Sequence, residues 1–264
     1  MSAASRIVPA VPADLGALEA AYARIAAPPG AAEKTLLAQA FDDYSADETP
    51  ELGGDDLAVL LAGAWRGAEA RKAGEPARIT VGPLADAAGV NTGYDQILIL
   101  QDDNPFLVDS VLGELAEAGV TVRALFHPIV EVEAGRRDSL IIVVIDPLPQ
   151  ERRDALGEGL AQAMADVRVA VRDHGAMLEA LGAEIARQRL EAAPPKGVDP
   201  EVLKENLEFL RWAKSDHFVF LGARDYDYPR DASGSYEAEA PLNQSSDGLG
   251  VLSDPERRVL RRAS

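Results

Sequence analysis

Six consecutive aliphatic residues, Leu140-Ile141-Ile142-Val143-Val144-Ile145, constrain this chain more than any other stretch. No polar residue alternates with them. A strand of that kind needs apolar cover on both faces of its sheet. The residues before it read as strand, helix, strand and strand across Asp95–Pro147. Gln96–Leu100 is a strand that runs into the polar corner Gln101-Asp102-Asp103-Asn104-Pro105. Phe106–Ala118 is a helix, with Leu107, Val108, Val111, Leu112 and Leu115 forming one apolar stripe before Gly119 stops it. Asp102 or Asp103 is placed to cap that helix, and Pro105 lies near its first turn. Val120–Arg123 and Leu125–Glu133 are strands, with a kink or edge at His127-Pro128. Ala134–Asp138 is a hairpin connection into the aliphatic run.

The flanks are mainly helical. Residues 13–28, 31–44 and 55–71 repeat their apolar positions at helical spacing, so residues 1–72 read as a three-helix part. Arg78–Val81 is a short strand stopped by Gly82-Pro83, and Ala85–Gly93 is a loop. Pro149 opens a further helix carrying Leu156, Leu160 and Met164. Val167–Val171 alternates, so it is either a fourth strand or more of the helix. The spacing of Met177, Leu178, Leu181 and Ile185 favours helix. Residues 193–197 form a linker. Asp199-Pro200 starts another helix at its cap and first turn. His217–Tyr228 reads as one long strand, bulged at Gly222, and Pro255–Arg262 as a helix. The chain stops where that helix begins to pack, which suggests a fragment or a domain whose remainder lies elsewhere.

With 264 residues and 47% hydrophobic content the chain can bury a core. Its net charge of −18 repels phosphate, so nucleic acid and anionic membrane are poor partners. There is no cysteine, hence no disulfide, thiolate metal site or cysteine nucleophile. No stretch approaches a membrane span or a signal-peptide core, and a cytoplasmic address follows.

Catalytic signatures do not emerge. His127, His174 and His217 stand far apart, without the spacing of metal ligands. Gly157-Glu158-Gly159 lacks the third glycine of a dinucleotide fingerprint and falls in a helical pattern. The expectation is no catalytic residue, metal or cofactor in this segment. The acidic corner has two readings. One is turn and cap chemistry. The other is ligand contact by Asp102, Asp103, Asn104, Phe106, Asp109 and Ser110. A helix start offers free N–H groups to a small molecule's carboxylate, and Asp102 or Asp103 can meet its ammonium. Trp212, Phe218, Phe220, Tyr226 and Tyr228 read as core packing rather than ligand stacking.

Several blocks resemble one known family. Arg71–Pro76, Asp103-Asn104-Pro105-Phe106-Leu107-Val108-Asp109-Ser110-Val111, His127-Pro128, Asp166–Met177, Phe209–Trp212, Asp216–Gly222 and Gly248–Leu252 resemble the N-terminal region of the large bacterial NAD-specific glutamate dehydrogenases. The likeness covers most of residues 55–252. It departs at His174, where the family usually has an aromatic residue, and at Asn104, where it usually has Met. The resemblance implies an α+β fold, an α/β sandwich. Its centre is a ferredoxin-like ACT-type βαββα(β) module with helices on one face. Residues 1–72 would be the helical part and 73–192 the first ACT-like domain. Residues 198–264 would be a helix and the start of a second ACT-like domain. The implied role is regulatory or assembly-related, with NAD used only by the full-length enzyme, which oxidises L-glutamate to 2-oxoglutarate and ammonia. The implied partners are an amino-acid effector, further copies of the chain and the rest of its own polypeptide. A stand-alone amino-acid-sensing module or a purely structural oligomerisation domain are the alternatives.

Overall fold

The computed structural model describes residues 12–44, 52–190, 199–227, 243–244 and 247–257. The chain divides into two compact units, residues 1–165 and 166–264. The fold is α+β.

In the first unit the aliphatic run lies in β5 (Arg136–Ile145), with every residue from Asp138 to Ile145 buried. Five strands form one antiparallel sheet: β1 (Arg78–Ala85), β2 (Asn91–Asp102), β3 (Val122–Phe126), β4 (Ile129–Glu133) and β5. The order is β1-β2-β5-β3, and β4 continues the β3 edge along the other half of β5. Leu100 pairs with Leu140, Ile99 with Ile141 and Ile97 with Val143, so the two central strands share their alternation.

Alternation then sends the side chains to two different layers. Leu100, Leu140, Ile142 and Val144 join one core with α1 (Leu15–Ile25), α2 (Ala31–Asp42) and α3 (Gly54–Glu69). Ile97, Ile99, Ile141, Val143 and Ile145 are buried on the opposite face. There Gln101 reaches Met164 of α5 (Gln150–Leu190), and Asp95 holds Arg153 through two hydrogen bonds of 2.7 and 2.8 Å. Val111 and Leu115 of α4 (Leu107–Glu117) and Leu156, Leu160 and Met164 of α5 supply the buried helical side chains. Helices on a single face, as the resemblance implies, would leave half of β5 wet. The N-terminal helices remove that exposure.

Other expectations change in detail. β1 does not stop at Gly82-Pro83 but runs to Ala85, because proline is tolerated on an edge strand. β1 also fills the outer place beside β2, the place that a strand after α5 would take in a βαββαβ order. A tight turn at Asp86–Val90 puts it there: the Asp86 carboxylate accepts the N–H of Ala88 at 2.9 Å and of Val90 at 2.8 Å. α5 runs as one helix from Gln150 to Leu190. It stays helical through Val167–Val171, as the spacing favoured. Neither Asp102 nor Asp103 caps α4; its N-cap residue is Phe106, without a side-chain cap, and Pro105 precedes the helix.

The second unit holds the rest of α5, α6 (Pro200–Trp212), a π-helical turn (Ala213–His217) and short strand pairs. Asp199 caps α6 by accepting the N–H of Glu201 at 2.9 Å, as its sequence implies. The single long strand expected over His217–Tyr228 does not form across its described residues, 217–227. The helix continues as a π turn through His217, and among the described residues Gly222–Ala223 and Tyr226–Asp227 pair, with Leu249–Gly250 and Asn243–Gln244. Of the expected aromatic cluster, Trp212 and Phe218 meet with centroids 5.5 Å apart, joined by Phe209, and all three stay about half exposed rather than in a core. Gly250 N–H donates to Asp173 at 2.8 Å; Arg172 and this bond hold the Asp173 carboxyl down at about 2. The proposed linker 193–197, Tyr228 and residues 258–262 lie outside the described residues.

One ionic hub ties the helical layer to the sheet. Arg71, just past α3, has a fully buried side chain. It donates to both oxygens of buried Asp138 at 3.1 Å and also to Asp102. Arg136 reaches back to the carbonyls of Arg71 at 2.7 Å and Ala68 at 3.0 Å. Burial works against the Arg71 charge, yet the bonds to Asp138 and Asp102 hold its pKa above the ordinary value. Removing one member of a buried pair strands the other charge. Arg71→Met is expected to cost about 3 kcal/mol or more, read as a shift of the urea midpoint. Arg71→Lys restores only part of it, since an ammonium cannot make the forked contact.

Candidate functional site

The acidic corner follows β2 and opens α4. Strand alternation separates its two aspartates. Asp102 points to the helical layer, where Arg71 and the Gly74 N–H, at 2.8 Å, take its carboxylate. Asp103 is paired with Arg137 at 3.0 Å, and its own N–H donates to the Arg137 carbonyl at 3.0 Å. The Asn104 side chain donates to the Asp102 carbonyl at 3.1 Å and fixes the turn. Phe106 then adopts φ 68°, ψ 8°, a left-handed conformation, and carries the chain into α4. Its ring remains 47% exposed.

A cleft of about 430 Å³ lies against this turn, lined by Asp103–Asp109 on one side and by His127 and Ile129 on the other. Five of those seven turn residues have a polar or exposed character that suits contact with a small molecule, and α4 presents a start without a side-chain cap. Of the residues read as candidates, Asp103, Asn104, Phe106 and Asp109 line the cleft. Asp102 and Ser110 are not among its lining residues; the Ser110 N–H donates to the Phe106 carbonyl at 3.1 Å.

The second wall was not assembled from sequence. Its one visible signal was His127-Pro128 in the middle of a β-rich stretch. The break there separates β3 from β4 and points the His127 ring inward, with Nε2 2.8 Å from Ser139 Oγ. Its backbone N–H donates to Asp43 at 2.9 Å. Burial pushes the His127 pKa below its ordinary 6.5, against the pull of Asp103 and Asp43. Among the described residues no group of three or more His, Asp or Glu is placed to hold a metal ion, and no helix is long and apolar enough to cross a membrane.

Comparison with known proteins agrees with this architecture. The family described as glutamate dehydrogenase, ACT1 domain, matches residues 36–185. An NAD-specific glutamate dehydrogenase of Halomonas elongata is 31% identical over 201 residues, covering 67% of this chain and 12% of that protein. One of Pseudomonas aeruginosa is 29% identical over 221 residues, covering 76% and 13%. The chain thus spans about an eighth of the length of these curated relatives.

Two predictions follow from the geometry. A left-handed non-glycine residue costs roughly 1–2 kcal/mol, so Phe106→Gly should raise stability by about 1 kcal/mol in urea unfolding. His127 is held neutral in the fold, so the unfolded chain takes up the extra proton. Stability from this group is complete above about pH 6.5 and declines below it. Thermal melts should show Tm dropping between pH 7 and pH 5, with a smaller drop in His127→Gln.

Proposed function

The chain belongs to the glutamate dehydrogenase ACT1 domain family, and from that premise we propose that it is a non-catalytic regulatory and assembly segment of an NAD-dependent glutamate dehydrogenase. The activity of such an enzyme, oxidation of L-glutamate to 2-oxoglutarate and ammonia with NAD, resides in this reading elsewhere in a much longer chain. The reading carries a cytoplasmic address and contacts to that remainder.

The observation that supports a regulatory role most is the position of the cleft. It lies within the matched range, where β2 gives way to an uncapped helix start. Backbone N–H groups there suit a ligand carboxylate. Asp109, exposed in the first turn of α4, and Asp103 suit its ammonium. The effector class we propose is therefore a free amino acid.

Calorimetry of the 264-residue chain against a panel of amino acids tests the effector. At least one should bind, and Asp109→Ala should weaken it about tenfold or more, as loss of a charge-assisted bond does. Binding by no amino acid, or unchanged binding in both Asp103→Ala and Asp109→Ala, overturns the site. The segment alone, given L-glutamate and NAD, should form no NADH above a blank. Turnover would overturn the non-catalytic reading.

A further inference from the structure

The β3–β4 side of the sheet is an edge, and edges invite strand addition. At His127 and Ile129 this edge is already occupied by the chain itself. In an antiparallel ladder alternate residues turn their peptide groups outward. At Ile129 the outward pair meets the side-chain amide of Gln39, in α2. Gln39 Nε2 donates to the Ile129 carbonyl at 3.0 Å, and the Ile129 N–H donates to Gln39 Oε1 at 2.8 Å. One amide thus accepts from and donates to the same residue, as the C=O and N–H of a facing residue in a neighbouring antiparallel strand do. Two residues back, the outward N–H of His127 is taken by Asp43 at 2.9 Å. Asp43 is the C-cap residue of α2, one helical turn beyond Gln39. The helix is fastened beside the edge by Leu36, Leu37 and Ala40, all buried in the core it shares with Val130.

We propose that α2 is a built-in substitute for a sheet strand, with Gln39 and Asp43 closing the β4 edge against a second copy of this chain. A strand from another copy would have to displace three hydrogen bonds that already satisfy the edge at His127 and Ile129. Beyond Ile129 it would meet the exposed Glu131 and Glu133, while itself coming from a chain of net charge −18. Self-association of this unit therefore uses a surface other than β4 while α2 is docked. The proposal does not depend on amino-acid binding, and failure of the cleft leaves it intact.

Hydrogen exchange and sedimentation velocity on the whole 264-residue chain test it. In the unaltered chain the Ile129 amide should exchange as slowly as amides of central β2, although it lies on an edge. In Gln39→Ala/Asp43→Ala it should exchange roughly tenfold faster or more, and the protein should associate more strongly as concentration rises. Adding Ile129→Pro, which cannot accept a strand at that position, should reverse the association. Rapid exchange of Ile129 in the unaltered chain overturns the proposal, and this outcome stands even where the double variant fails to fold. So does a folded double variant whose association state matches the parent, or a parent oligomer that Ile129→Pro dissolves.

Discussion

Burial of β5 on both faces is the constraint on which the first unit depends. Exposing Leu140, Ile142 and Val144 alone would forfeit roughly 5–9 kcal/mol at the usual worth of a buried aliphatic side chain, about the whole stability of an ordinary domain. A sheet with helices on one side only cannot carry this strand. The α1–α3 layer is thus part of the same folding unit as the sheet, and the matched family range begins inside α2 rather than at β1. β1 takes the outer place beside β2 in the same sheet.

The polar features follow from the same two-layer geometry. Asp102 and Asp103 are adjacent in sequence but serve opposite faces. Asp102 joins the Arg71–Asp138 hub under the helical layer, and Asp103 faces the cleft. The turn between β2 and α4 is thereby anchored through the helical layer and shaped for the cleft at once. Its far wall, His127 and Ile129, is gripped by α2 through Asp43 and Gln39. Both walls therefore rest on the N-terminal helices, which gives those helices a place in any regulatory reading of the cleft.

Much of this was legible in the residues. The unbroken aliphatic run announced a strand covered twice. The helical stripes located α1 to α4, and Asp199-Pro200 announced the start of α6. The near wall of the cleft was legible because it is contiguous, a strand end, a turn and a helix start. The far wall was not, since it depends on β3 and β4 pairing with β5 from a distance and breaking at His127-Pro128. Pairing of β1 beside β2 was equally hidden, because Gly82-Pro83 looked like a stop while the edge position tolerates proline. The division of labour between Asp102 and Asp103 was within reach of the strand period, had the strand been extended past Leu100. The second unit shows the opposite failure: His217–Tyr228 has strand composition, yet a π turn claims its first residue and, among the described residues, its pairing is confined to dipeptides.

The dependence of the sheet on its N-terminal layer is tested most directly by a chain that starts at Ala73 and retains the rest. Amide exchange across Leu140–Ile145, compared with the full chain, is the measurement. Loss of slow exchange throughout that strand, with a soluble fold no longer recovered, is the predicted result. A truncated chain that folds cooperatively and protects those six amides as well as the parent would contradict the account.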